Sequence, residues 1–324
     1  MAKVLGNISA QDDFMHPLGT EENFNESMYF NFFDPQLQAG GFVRLGNRAN
    51  EGRAEMTTTL YLPDGRVLFM FKRAEISHND AFDAGGMRFE VLEPAEKLRT
   101  VYNGSVVVLK EPRDMADPKK AFSSNPVQKV KLDLEHTAVG PMYGSKQDDT
   151  ESDRPAEKQF GKAHYEQHMG VRGTIELGDE TIEINGLGLR DHSWGPRYWQ
   201  AIQSYEWLTM NFGENAGAMV SVIQRDEKNT RRGGVLVRDG KMEGLVDCHV
   251  DVVYEDGSPF HRSLDVRAKT GGGEDFLVHG EVKSFIPLRN RRGGQTTYIG
   301  EGMTEWTWGS QTGYGLSELL RTGD

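Results

Sequence analysis

Apolar and polar residues alternate along this chain in short runs, each closed by a cluster of turn-forming residues. Arg53 to Ile76 reads RAEMTTTLYLPDGRVLFMFKRAEI, in which two β-rich runs flank Pro63-Asp64-Gly65, a triplet that presets a reversing turn. The stretch MRFEVLEPAEKLRTVYNGSVVVLK has the same form. Further pairs are predicted from Val171 to Asp191 around Gly178-Asp179, from Glu206 to Arg225 around Glu214-Asn215, and from Gly234 to Tyr254 around Asp239-Gly240. Helical periodicity is weak, and the short candidates are Leu316 to Arg321 and Ala156 to His168. The pattern predicts an all-β chain of antiparallel meanders.

The most polar interval, Gly144 to Lys162, separates two β sets of similar length, which predicts two halves, residues 1–162 and 163–324. Sheets of about 150 residues are the size of closed barrels with room for a ligand. One continuous sandwich with an inserted loop is the alternative organisation.

Composition removes several function classes. Lys and Arg total 37 against 49 Asp and Glu, and the resulting net charge of -12 argues against nucleic acid or an anionic membrane as partner. A single cysteine, Cys248, leaves no disulfide framework, Cys-rich metal site or CxxC redox pair. With no long apolar stretch and no leader-like start, the expectation is a cytoplasmic protein without stable membrane insertion. Gly271-Gly272-Gly273 lacks the strand and helix that a phosphate-cradling loop requires, so no nucleotide site is expected.

Candidate chemistry concentrates in GLGLRDHSWGPRYWQ, Gly186 to Gln200. Strand alternation places Gly186, Gly188, Arg190, His192 and Trp194 on one side, and Leu187, Leu189, Asp191 and Ser193 on the other. The two glycines would leave space for a ligand beside Arg190 and His192. A bulge or strand end at Asp191, which Gly195-Pro196 invites, would instead bring Asp191 and His192 into one cavity. An acid or imidazole walled by Trp194, Tyr198 and Trp199 would have its pKa moved by desolvation. The competing reading is a structural corner in which Arg190 or Arg197 pairs with a carboxylate and Trp194 fills the core.

The RDHSWGPR block resembles a known group, together with HYEQHM and its following VRGTIEL, the early HPLG, ESMYFNFFDP and RLGNRANEG runs, and the closing TGYGLSE. The resemblance is to a bacterial family related to the carotenoid 1,2-hydratase (hydroxyneurosporene synthase) and tocopherol-cyclase-like proteins, and it spans most of the chain. It implies a tandem of lipocalin-like β-barrels, and cofactor-independent lyase, hydratase or isomerase chemistry on a bulky hydrophobic or aromatic molecule of the isoprenoid, steroid, polyketide or aromatic-dimer class. Arg190, Asp191, His192, Ser193, Trp194, Gly195 and Arg197 match the shared motif.

On this reading Asp191 and His192 are the expected catalytic pair, with Arg190, Trp194, Arg197, Tyr198, Trp199, Glu206 and His78 as candidate substrate-binding residues. Glu206 is expected beside the motif as a salt-bridge partner or second acid. His78 sits with Asp80 and Asp83 in a loop, as a proton relay or metal ligand against the plainer reading of solvated turn residues. His16, before Pro17, reads as a cap. His164 and His168 would align on a helix, but no third ligand is apparent nearby in sequence. Trp306 and Trp308 share one face and read as core. Neither an organic cofactor nor a metal is expected, and the partner is a hydrophobic or aromatic small molecule. A non-catalytic carrier of the same kind of ligand is the alternative, while an oxidoreductase would need a cofactor site that the sequence does not display.

Overall fold

A computed structural model describes residues 4–146, 161–198, 201–292 and 294–323. The chain divides into two compact units, one formed by Met1–Leu109 and Asn125–Tyr198, the other by Lys110–Ser124 and Trp199–Asp324. Both are built of antiparallel sheet, as the alternating pattern predicts, and all five predicted hairpins are present. At Asp239-Gly240 both residues have positive φ, 52° and 70°, the geometry that matches strand twist in a two-residue hairpin. Gly65, at φ 87°, closes the Pro63-Asp64-Gly65 turn, where Asp64 accepts the Arg66 N–H at 3.1 Å.

In the first unit, strand pairing closes a ring of eight. It runs from Ala163–Leu177 to Glu180–Pro196, Phe24–Asp34, Ala39–Arg48, Arg53–Tyr61, Val67–Glu75, Lys97–Leu109 and Val127–Ala138, which returns to Ala163–Leu177. Short strands Val4–Gly6, Met142–Lys146, Asp83–Ala84 and Met87–Glu93 extend the sheet beyond the ring. Its interior holds Met28, Phe30, Leu45, Met56, Leu60, Leu98, Leu132 and Met169. The second unit is an up-and-down barrel of eight strands from Ser204–Gly213 to Gln311–Gly323. Its core contains Leu208, Val220, Cys248, Leu264, Phe276 and Trp306. The aromatic face predicted at Trp306 and Trp308 is core packing: Trp306 is fully buried, and Trp308 lies against Phe212 and Phe276.

Three expectations change. The division between units falls after Tyr198 rather than at 162/163, because Ala163–Leu177 and Glu180–Pro196 complete the first ring. The polar interval Gly144 to Lys162 does not coincide with the division between units, and most of it lies outside the described residues. Leu316 to Arg321 is strand within Gln311–Gly323, and residues 163–168 begin the strand Ala163–Leu177. In both, pairing on two sides overrides weak local helical spacing. The described α-helix is Pro118–Ser124. Among the described residues, no helix is long and apolar enough to cross a membrane.

Candidate active site

The motif strand Glu180–Pro196 pairs with Ala163–Leu177 on one side and with Phe24–Asp34 on the other. Its register runs unbroken from Leu177↔Glu180 to Ala163↔Trp194. Alternation therefore persists through the motif, and Asp191 and His192 point to opposite faces of the barrel wall. The expected Asp191–His192 pair does not form, because no bulge occurs at Asp191 and the strand continues to Pro196. The glycines leave no ligand space either. A Cβ on Gly186 would meet the Phe33 carbonyl oxygen at 2.1 Å, and one on Gly188 the Asn31 oxygen at 1.9 Å, so both serve close approach of the neighbouring backbone.

The inner face carries Arg190, His192 and Trp194 opposite Gln167, Tyr165 and Ala163. Arg190 is fully buried. Its guanidinium forms a salt bridge with Asp13, donates to Gln167 Oε1 at 2.9 and 2.6 Å, and donates to the Tyr165 hydroxyl at 3.0 Å. Burial opposes its charge, but Tyr165 and Asp13 outweigh that and hold its pKa up. Asp13 comes from the 3-10 turn Ala10–Asp13 and also accepts the Ala95 N–H at 2.6 Å. Its donors are engaged in this buried network.

His192 lies between the Tyr165 hydroxyl, 3.0 Å from Nδ1, and Glu26 Oε1, 3.1 Å from Nε2. Glu26 also binds His16 Nδ1 at 2.7 Å, and His16 Nε2 is 3.2 Å from Asp12 Oδ1. His16 stacks on Trp194 with ring centroids 3.6 Å apart and 12° between planes. It is therefore part of a buried polar cluster and not the simple cap that the sequence suggested. Burial alone would lower the His16 pKa, but Glu26 and Asp12 raise it. Burial would likewise raise Glu26, and the two imidazoles hold it below the usual carboxylate range.

On the outer face, Asp191 stands directly across from Glu166, and Ser193 across from His164. The His164 Nε2–H donates to Asp191 Oδ2 in a short contact and lies 3.5 Å from Glu166 Oε1. The Tyr143 hydroxyl donates to Glu166 Oε2 at 2.7 Å, and Arg197 Nη1 donates to Ser193 Oγ at 3.0 Å. His164 has 49% of its side chain exposed and Asp191 17%, whereas Glu166 has 1%. This cluster is open to solvent on one side, and the inner one is nearly sealed. His168 is on the same face, buried, with its ring near that of Tyr143. The two histidines thus align along a strand rather than a helix, and further candidate ligands, Glu166 and Asp191, lie beside His164.

Burial opposes a charge on His164, but Asp191, with Glu166 adding to it, raises its pKa to about 9. Burial pushes Asp191 up, and His164 and Arg197 more than offset it, leaving its carboxyl below the ordinary range. Because the imidazole is raised from 6.5, the pair's stabilisation is complete below pH 6.5 and is lost as pH rises through about 9. Half-exposure of His164 keeps the net worth of the pair modest through solvent screening. In an NMR titration His164 should titrate near 9 and move toward 6.5 in Asp191→Asn; titration near 6.5 in the parent protein would refute the ion pair.

Other expected site residues separate from the motif. Glu206 belongs to the second barrel, where its strand pairs with Ala216–Asp226 and Gln311–Gly323. The chain does not fold back from the motif into an adjacent strand. Burial raises the Glu206 pKa, against the opposing charges of Arg321 and Arg232. His78, Asp80 and Asp83 are exposed, and the neighbour that reaches the inner cluster is Asn79, through Glu26 Oε2. Tyr198 is half-buried, and Trp199 lies outside the described residues.

Residues 9–322 match the model of a domain of unknown function, DUF7064. The chain belongs to that family. No curated protein sequence matches it. Among solved structures, the chain is similar to a protein assigned as AttH from Nitrosomonas europaea, at 16% identity over 98% of each chain with a TM-score of 0.66. It is similar to CghA solved with Sch210972, at 12% identity over 93% of this chain and 89% of that one, TM-score 0.57. It also resembles kievitone hydratase from Nectria haematococca, at 12% identity over 99% and 96% of the two chains, TM-score 0.57. At these identities the likeness establishes the all-β tandem lipocalin-like fold.

Proposed function

We propose that the chain is a lyase, hydratase or isomerase that moves protons on a bulky hydrophobic or aromatic small molecule, with His164 and Asp191 as the reacting pair. The observation that carries this reading is the solvent-reachable His164–Asp191 ion pair on the outer face of the motif hairpin, backed by buried Glu166 and Tyr143. Asp191 fixes Nε2–H of the imidazolium, which leaves Nδ1–H as the proton offered to a substrate. In the hydration direction, that proton passes to an alkene carbon, water adds to the developing cation, and the proton lost by water returns to the neutral imidazole. In elimination the same steps run backward, and the leaving oxygen departs as water.

This assignment keeps Asp191 from the motif and replaces His192 with His164 as its partner. Arg197 adds positive charge beside Asp191 and anchors Ser193. Arg190, His192 and Trp194 hold the strand that presents the pair. The resemblance to carotenoid 1,2-hydratases and the name of kievitone hydratase both support proton-transfer chemistry of this class. The test is turnover in D₂O over a panel of isoprenoid, steroid, polyketide and aromatic alkenes and alcohols, read by mass spectrometry. Solvent deuterium should enter one carbon of at least one substrate. Binding of panel members with no turnover of any would favour the carrier reading instead.

A further inference from the structure

We infer that the inner cluster, His16, Glu26 and His192, is a binding site for a divalent transition-metal ion, with zinc the best match to its donors. This inference is independent of the proposed activity, which uses the opposite face of the strand. His16 Nδ1, Glu26 Oε1 and His192 Nε2 converge, with 2.7 Å between the first two and 3.1 Å between the last two. Two imidazoles and one carboxylate form a recurrent zinc set that leaves one further coordination position. A tetrahedral ion with bonds of about 2.0–2.2 Å spaces its ligand atoms roughly 3.3–3.5 Å apart. The observed gaps are the hydrogen-bonded form of the same arrangement, and they need to open by about 0.6–0.8 Å at His16 and about 0.2–0.4 Å at His192.

What distinguishes this cluster from an ordinary buried hydrogen-bond network is the atom each residue turns away from the centre. The second nitrogen of His16 faces the Asp12 carboxylate at 3.2 Å, and the second nitrogen of His192 faces the Tyr165 hydroxyl at 3.0 Å. The second oxygen of Glu26 accepts Asn79 Nδ2 at 2.5 Å, and the His16 N–H is shared between the two Glu26 oxygens at 3.0 and 3.1 Å. Each prospective ligand is thus oriented by an outer partner, as metal ligands characteristically are. Glu26 and His192 are fully buried, while His16 keeps 17% of its side chain exposed and gives the ion a way in. His16 precedes the strand Phe24–Asp34 that carries Glu26, and His192 lies far along the chain, so a bound ion would tie the N-terminal segment to two strands of the barrel wall. The His164, Glu166 and Asp191 cluster is instead open to solvent at His164.

Equilibrium dialysis of the purified protein against Zn²⁺ or Co²⁺, with metal measured by mass spectrometry, tests the inference. The parent and His164→Ala should each retain one ion per chain. His16→Ala and Glu26→Gln should weaken binding by more than about 100-fold, and Asp12→Asn by about 10-fold, the scale of losing an outer partner. Should a variant fail to fold, X-ray absorption of the metal-loaded parent decides, because scattering from two imidazoles is expected. No ion retained by the parent, or an ion lost in His164→Ala but kept in His16→Ala, would overturn the assignment.

Discussion

Arg190→Met should destabilise the first unit by about 3–5 kcal/mol, the cost of removing one partner from a buried ion pair. The methionine fills much of the vacated volume, so the loss is electrostatic rather than a cavity effect. It leaves Asp13 buried with only the Tyr165 hydroxyl and the Ala95 N–H, and deprives Gln167 Oε1 of both guanidinium donors. Denaturant or thermal unfolding should show an early transition for this unit. Adding Asp13→Leu to Arg190→Met should recover much of the loss, because replacing both members of a buried pair by apolar groups is often neutral. A single variant that unfolds with the parent would show that the Asp13–Arg190 bridge does not anchor the motif strand.

Asp191→Asn should lower turnover by roughly 100-fold or more while leaving the fold nearly intact, the scale of lost general acid–base catalysis. Asparagine keeps the shape and can still accept from His164, but it cannot hold the imidazolium by charge. Asp191 is partly open to solvent, unlike Asp13, so water can satisfy the substituted group and the stability change should stay within about 1 kcal/mol. A variant that melts early yet turns over substrate at the parental rate would make Asp191 a structural residue.

The hairpins were legible because their determinants are local. Pro63-Asp64-Gly65 and Asp239-Gly240 encode their turns in adjacent residues, and alternation along Gly186 to Trp194 gives the correct two faces. Glu166 was also within reach of the sequence. Counting outward from the Leu177–Glu180 pair of the Gly178-Asp179 hairpin places Glu166 opposite Asp191 and His164 opposite Ser193. Treating His164 and His168 as helical concealed that signal. Asp13, His16 and Glu26 could not be located in the same way, because the first two come from the N-terminal segment and Glu26 from Phe24–Asp34, a strand distant in sequence that pairs beside the motif, and local periodicity carries no information about such contacts. The Glu206 expectation failed for a related reason: strands consecutive in sequence need not pair, and here the chain passes into the second barrel between them.

Proton movement through His164, on the outer face of the motif hairpin, is what the proposed reaction requires. The pH–rate profile of the parent and of His164→Gln, on a substrate found by the deuterium screen, tests it most directly. In the parent, turnover should fall as pH rises through about 9, where the His164 imidazolium is lost. In His164→Gln that limb should vanish and the rate at neutral pH should drop by roughly 100-fold. A variant that retains both the parental rate and the limb near 9 would contradict the account.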